Sequence, residues 1–348
     1  MTLMKKLFTL LFLFSAVTIF SQHNLNGKIT GKGNIPLEGV NIYYDGTTIS
    51  TVSDADGKFS IKYEPNANNI LVISSMGYQT EYLSGLDVSK PLNIVMKISE
   101  NELKEVVVSN NNEFTRAQKL KLFREYFLGT TSNAKSAIIK NEDDIKFNYD
   151  KKNLLFTASS DKPLIIINPA LGYKIDFELV IFEVSFNRFS INSIDAFKNF
   201  YGGVSRFEEI DNSPKVLKKR EKTFQGSQIQ FFRNLADNDW DAKKFLLFKG
   251  KYHQDPTKCF KIIKGVDFAK VELIPENKSE TTNLNTKNVV AVYNLVFDKK
   301  EASKITFETN SFYIYKYGNN SNIEDILFSG KISEKRVGDM LPLNYGIE

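Results

Sequence analysis

From Gly27 to Met96, apolar and polar residues alternate in short runs. Val40 and Ile42 fall on one side of an extended segment, with Asn41 and Tyr43 on the other. Phe59, Ile61 and Tyr63 alternate with Lys58, Ser60 and Lys62. A period of two with polar alternates predicts half-buried β-strands. Turn formers separate the runs: Asn34-Ile35-Pro36, Asp54-Ala55-Asp56-Gly57 and Ser75-Met76-Gly77. In the second, the aspartates can cap nearby N–H groups while glycine accepts positive φ. No apolar repeat of 3.6 residues occurs in this stretch, so a small all-β sandwich is expected.

The period changes after the asparagines at 110–112. Phe114, Ala117, Leu120, Phe123 and Phe127 recur at spacings of three and four, with Arg116, Lys119, Lys121, Arg124 and Glu125 mostly elsewhere and Gly129 following. This predicts an amphipathic helix over Glu113 to Leu128 whose aromatic stripe faces a core. Strand-like runs follow at Ala137–Lys140, Ile145–Tyr149, Leu154–Ala158, Leu164–Asn168 and Tyr173–Phe186. Asn192 to Tyr201 fits either helix or strand. Ser227, ahead of Ile229, Phe232 and Leu235, caps a second, shorter helix. Further strands are expected at Cys259–Ile263, Val289–Phe297, Ile305–Phe307, Phe312–Tyr317 and Ile326–Phe328. The fold class is therefore mainly β: a sandwich followed by a strand-rich α+β domain, itself a second sandwich or a curved sheet with a few helices.

Composition narrows what such a chain can do. A chain of 348 residues predicts two folded domains at roughly one per ~150 residues. Lys5 and Lys6 precede an apolar run from Leu7 to Phe20, broken only by Thr and Ser, and Ser21-Gln22 offers a small residue for cleavage. That is the pattern of a signal peptide, too short to span a bilayer as a helix. The expected organisation is a signal peptide over 1–21, a β-sandwich over 22–99, a linker or edge strand over 100–112 and a second domain over 113–348. No later stretch is apolar enough for a transmembrane helix. The formal charge of +5 includes both leader lysines, so the mature chain is nearly balanced and nucleic acid is not an expected partner. One cysteine rules out an intramolecular disulfide and a cysteine-rich zinc site, and two histidines leave most histidine-dependent catalysis without its parts.

The sandwich stretch resembles the carboxypeptidase regulatory-like domain. The motifs, in order, are Gly27-Lys28-Ile29-Thr30, Pro36-Leu37-Glu38-Gly39-Val40-Asn41-Ile42, and Thr51-Val52-Ser53-Asp54-Ala55-Asp56-Gly57-Lys58-Phe59-Ser60-Ile61. Leu71-Val72-Ile73-Ser74-Ser75-Met76-Gly77-Tyr78 and Leu92-Asn93-Ile94-Val95-Met96 continue the match. The resemblance implies a seven-stranded, transthyretin-like sandwich common in exported Bacteroidetes proteins, and no peptidase activity. Zinc carboxypeptidases need His-x-x-Glu and a distant third His; here His253 is followed three residues later by Pro256, and His23 lies at the mature N-terminus. Leu103-Lys104-Glu105-Val106-Val107-Val108 is similar to the segment after this domain in SusC-type TonB-dependent receptors, near the box that adds a strand to TonB. Leu103, Glu105, Val106, Val107 and Val108 are thus candidate interaction residues, with an edge strand or tether as the plainer reading. The chain after Val108 is too short for a plug and a 22-stranded barrel, whose strands alone need roughly 220 residues. Phe127-Leu128-Gly129, Pro163-Leu164 to Leu171-Gly172-Tyr173, Gly226-Ser227 and Phe232-Arg233-Asn234-Leu235 resemble Bacteroidetes proteins that join this sandwich to a second domain. That likeness implies domain order and export, and no chemistry.

Catalytic candidates are few. Asp176 and Glu178 share one face of a predicted strand, about 6.5–7 Å apart at Cα. Paired carboxylates at about 5–9.5 Å serve glycoside hydrolysis, whereas i and i+2 polar residues more commonly form a solvated face. His253 and Cys259 resemble a base and nucleophile, although a lone cysteine beside Phe260 suits core filling. Gly203-Val204-Ser205-Arg206-Phe207 is not a nucleophile elbow, and Asp54-Ala55-Asp56-Gly57 has too few spaced oxygens for calcium. The basic run Lys215, Lys218, Lys219, Arg220 and Lys222 reads as a solvated face, or as a surface for lipopolysaccharide phosphates. The expectation is a non-catalytic exported envelope protein, periplasmic or outer-membrane-associated, with no cofactor or metal. It would bind or scaffold an envelope protein or glycan. The alternatives are a carboxylate-based glycan hydrolase in the second domain and a TonB-linked outer-membrane accessory protein.

Overall fold

The computed structural model describes residues 24–63, 70–87, 89–99, 113–241, 243–266, 268–274 and 289–347. The expected signal peptide and the motif at Leu103 to Val108 lie outside the described residues. Seven strands form the N-terminal unit: β1 (Asn24–Thr30), β2 (Asn41–Tyr44), β3 (Ser50–Val52), β4 (Lys58–Lys62), β5 (Leu71–Ser74), β6 (Glu81–Leu83) and β7 (Leu92–Val95). They make two sheets, β4-β1-β7 and β3-β2-β5-β6. All neighbours are antiparallel except β1 and β7, which run parallel. Leu25, Ile29, Ile42, Phe59, Ile61, Leu71, Ile73 and Ile94 fill the space between the sheets. The Asp54 turn forms as its residues dictate, one carboxylate oxygen accepting from the N–H groups of Asp56 and Lys58.

The next unit is a six-stranded antiparallel sheet backed by helix α1 (Arg116–Phe127). Thr115 caps α1, and a reciprocal bond from its N–H to Gln118 completes a capping box, so the start signal is threonine rather than the asparagines upstream. A short α2 (Ser132–Ser136) follows. The sheet comprises β8 (Ile138–Ile139), β9 (Ile145–Asp150), β10 (Leu155–Ser160), β11 (Leu164–Asn168), β12 (Tyr173–Phe186) and β13 (Ala196–Glu209). β12 and β13 form a long hairpin, so the ambiguous Asn192–Tyr201 stretch is largely strand. Phe123 and Phe127 of α1 meet Phe182 and Phe177 of β12 at ring separations of 4.7 and 5.1 Å. The aromatic stripe is therefore core-facing, as its spacing predicts.

The basic run lies on α3 (Pro214–Phe224), a helix the apolar pattern did not announce. Its four lysines are exposed, but Arg220 is only 2% exposed, which corrects the reading of a wholly solvated face. Its guanidinium donates to the carbonyls of Leu171, Gly172 and Asp211 and to Glu209, and lies 4.0 Å from the Tyr173 ring centroid. Together these partners supply what a buried cation requires.

Helix α4 (Gln228–Asp237), capped by Ser227 as expected, then packs on a third group of strands. One sheet is β15-β14-β18-β19-β21, built from β14 (Phe245–Lys249), β15 (Tyr252–Gln254), β18 (Ala291–Phe297), β19 (Glu301–Phe307) and β21 (Ile326–Gly330). The other is β16-β17-β20, from β16 (Phe260–Lys264), β17 (Phe268–Leu273) and β20 (Ser311–Tyr315). Both contribute to one core with Phe231, Phe232 and Leu235 of α4. Among the described residues no helix is long and apolar enough to cross a membrane.

Candidate functional site: the seam between the sandwich and the sheet

The sandwich presents the face of β2 opposite its core to β13 of the six-stranded sheet. Tyr43 and Val72 point away from the sandwich core yet are buried, forming a small apolar cluster with Val204. Beside it the loop after β2 lies along β13. Gly46 N–H donates to the Ser205 carbonyl at 2.7 Å, and Phe207 N–H donates to the Thr47 carbonyl at 3.1 Å. Thr47 and Arg206 thereby form a parallel β-bridge. The loop extends an edge that would otherwise offer unpaired backbone groups.

Three side chains fix that docking. Asp45 Oδ1 accepts from Ser205 N–H at 2.7 Å. Burial pushes its carboxyl up from 3.8 to about 6, against the opposing pull of the Ser205 and Gly46 N–H groups. Arg206 donates from Nε and Nη2 to Asp176 Oδ2 (3.2 and 2.5 Å), and from Nη1 to Asn41 Oδ1 of the sandwich (2.8 Å). Tyr82 of β6 donates its hydroxyl to Glu178 Oε1 at 2.5 Å.

The C-terminal segment closes the joint. Leu343 N–H donates to the Gly46 carbonyl at 2.6 Å, while Asn344 exchanges hydrogen bonds with Thr48. Gly46 has φ +70°, and a Cβ there would stand 2.7 Å from Leu343 Cδ1, so both conformation and space call for glycine. Arg233 of α4 holds the same segment through the carbonyls of Leu343 and Tyr345. One stretch of chain thus ties the sandwich, the sheet and α4 together.

Asp176 and Glu178, the carboxylate pair picked from sequence, do share a face of β12. That face is half-buried, and both carboxylates are engaged. Asp176 is held by Arg206 with Lys174 3.7 Å away, and Glu178 by Tyr82. Cys259 lies in the α4 core and His253 is exposed on β15 against Phe248, so the two do not form a base–nucleophile pair. Among the described residues no group of three His, Cys, Asp or Glu side chains is arranged to hold a metal. The sequence reading missed Tyr43, Asp45, Gly46, Arg206 and Leu343. One signal was available: Leu71-Val72-Ile73 is apolar at three consecutive positions, a pattern for a strand covered on both faces.

Residues 25–108 match the CarboxypepD_reg-like domain, and the seven-stranded sandwich is a domain of that type. Among curated proteins, the chain is 35% identical over 113 residues to TonB-dependent receptor P39 of Formosa agariphila, covering 32% of this chain and 11% of that receptor. It is 31% identical over 97 residues to TonB-dependent receptor SusC of Bacteroides thetaiotaomicron, covering 28% of this chain and 9% of the receptor. The chain therefore spans about a tenth of the length of these relatives. A chain of the type II cohesin–X-dockerin complex from Acetivibrio cellulolyticus aligns with 22% of this chain and 57% of its own, at 21% identity and a TM-score of 0.19.

Proposed function

We propose that this chain is a non-catalytic, exported cell-envelope protein in which the CarboxypepD_reg-like sandwich serves binding or scaffolding from a fixed position on its strand-rich partner. The observation that carries this reading is the seam. The carboxylates best spaced for hydrolysis are held by Arg206 and Tyr82 in joining two units, which leaves neither oriented toward a substrate. The likeness to TonB-dependent receptors supports a place at the outer membrane or in the periplasm, and the signal-like N-terminus supports export.

The test is a glycan-hydrolysis screen of purified protein beside Asp176→Asn and Glu178→Gln. The expected result is no turnover by any of the three, with altered resistance of the sandwich junction to protease in the variants. Turnover by the wild type that either substitution abolishes would establish the hydrolase instead. A second reading, contact with TonB, is favoured by one observation: the domain match runs through Val108 and so includes Leu103, Glu105, Val106 and Val107. A pull-down with a TonB periplasmic domain should then retain the wild type and lose Val107→Pro; retention of neither removes this reading.

A further inference from the structure

Lys215, Lys218, Lys219 and Lys222 stand at i, i+3, i+4 and i+7 on α3, a spacing that lines them along one side of the helix over about 10 Å. All four are exposed. Among the described residues none of them forms an ion pair with a carboxylate. The acids just ahead of the helix in the chain are engaged elsewhere. Glu209 accepts from the buried Arg220, Glu208 pairs with Lys174, and Asp211 accepts from the N–H and hydroxyl of Ser213. Glu221, the one acid on α3, falls outside the stripe, beside Leu217 and on the side of Tyr345.

The stripe stands on a well-anchored helix. Val216, Arg220 and Thr223 are buried on its inward side, and the Thr223 hydroxyl accepts from the Asn133 amide at 3.0 Å. Lys215 and Lys219 are one turn apart, as are Lys218 and Lys222, so like charges face each other and repel. An arriving anion relieves that repulsion. The aromatic residue of α3, Phe224, is turned to Tyr345 and Arg233, so the stripe offers no ring on which a base or sugar can stack. Lysines are compact, strongly hydrated charges that attract anions without fixing their geometry. A row of them on the outside of a helix suits a plane of many phosphates better than one anion in a pocket.

We propose that α3 is a docking surface for an anionic membrane, its four lysines meeting the phosphates of lipid headgroups. The helix lies along the bilayer surface without entering it, and its buried side keeps hold of the six-stranded sheet. Each lysine beside such a surface strengthens binding about fivefold, so the stripe gives a reversible contact that salt screens. The assignment rests on the envelope placement proposed above and gives the scaffold a surface to stand on.

The full chain, purified after export, would be sedimented with vesicles of phosphatidylcholine alone or mixed in equal parts with phosphatidylglycerol, beside a titration with heparin. Binding should be about tenfold or more stronger to the mixed vesicles and should fade as salt rises. Lys218→Glu with Lys222→Glu should weaken it about tenfold or more with an unchanged melting temperature; Lys218→Gln with Lys222→Gln serves if the reversed pair fails to fold. Lys32→Glu with Lys90→Glu, exposed positions on the sandwich, changes net charge equally and should leave binding unaltered. Equal binding to both vesicles, an equal loss in the sandwich variant, or no binding would each overturn the proposal. Tighter binding of heparin than of mixed vesicles would also overturn it and would assign the stripe to an acidic polymer. Loss of the proposal would leave the scaffold reading standing, because that reading is decided by the hydrolysis screen.

Discussion

The centre of the seam and the foot of α4 each hold a half-buried arginine and satisfy it in different ways. At the seam every charged group named has found its partner within the chain: Arg206 meets Asp176 and Asn41, Glu178 meets Tyr82, and Asp45 meets the Ser205 N–H. Where α4 meets the C-terminal segment, Arg233 instead donates to the carbonyls of Tyr317, Leu343 and Tyr345 and lies over the Phe224 ring, 5.2 Å from its centroid. A carboxylate pair on one strand face looks like chemistry in a sequence, yet chemistry needs groups with unspent bonding capacity. The difference teaches that the partners a charged group has found in the fold, carboxylate at Arg206 and carbonyl at Arg233, say more about its role than its spacing in the sequence.

The largest effect should come from emptying the centre of the seam. Arg206→Ala removes two bonds to Asp176 and one to Asn41, and leaves a largely covered carboxylate with only the more distant Lys174. Hydrogen bonds to charged groups contribute about 1.5–3 kcal/mol each before relaxation, and a partly exposed site recovers some of that through water. A loss of about 2–3 kcal/mol is expected in urea unfolding, with earlier proteolysis between sandwich and sheet. A change below about 0.5 kcal/mol would show that the apolar cluster and backbone bridge hold the units unaided.

The next effect depends on pH. The Asp45 carboxyl is raised to about 6 from its ordinary 3.8, so the docked state favours its protonated form. Its contribution to stability is then fully present below about pH 4 and is lost as pH rises through about 6. The gap between the two values sets an upper limit of about 3 kcal/mol. Asp45→Asn keeps an oxygen to accept from Ser205 while removing the titration. Thermal melts from about pH 4 to about pH 7 should show a declining wild type and a flatter variant that is the more stable of the two at neutral pH. Parallel curves would mean that Asp45 is hydrated at the joint.

How much of this was legible in the sequence follows from what each element uses to fold. The sandwich was readable because Phe59, Ile61 and their polar alternates write a period of two, and because Asp54-Ala55-Asp56-Gly57 carries its turn chemistry locally. The helices α1 and α4 were readable from apolar residues three and four apart, with Ser227 marking the start of α4. Helix α3 was not, since its inward face is built from Val216, Arg220 and Thr223, and a buried arginine looks like one more cation in a lysine-rich run. β13 was ambiguous because Lys198, Asn199, Gly202 and Gly203 break apolar alternation; pairing with β12 makes it a strand. The seam was least legible. Its loop docks mainly through backbone groups of Gly46, Thr47 and Ser205, which side-chain patterns do not encode, and its partners lie some 160 residues apart.

The smallest effect lies at the edge of the seam and tests whether its centre and rim differ. Tyr82 is 45% exposed, so its hydroxyl and the Glu178 carboxylate can both return to water when parted. Exposed polar pairs contribute little, because solvent competes for the same groups. Tyr82→Phe should cost about 0.5–1 kcal/mol in urea unfolding, Glu178→Gln a similar amount, and the two together little more than either alone. A cost for Tyr82→Phe matching that of Arg206→Ala would mean that the rim carries the docking. The sandwich would then pivot about Tyr82, and the parallel bridge at Thr47 would be the weaker contact.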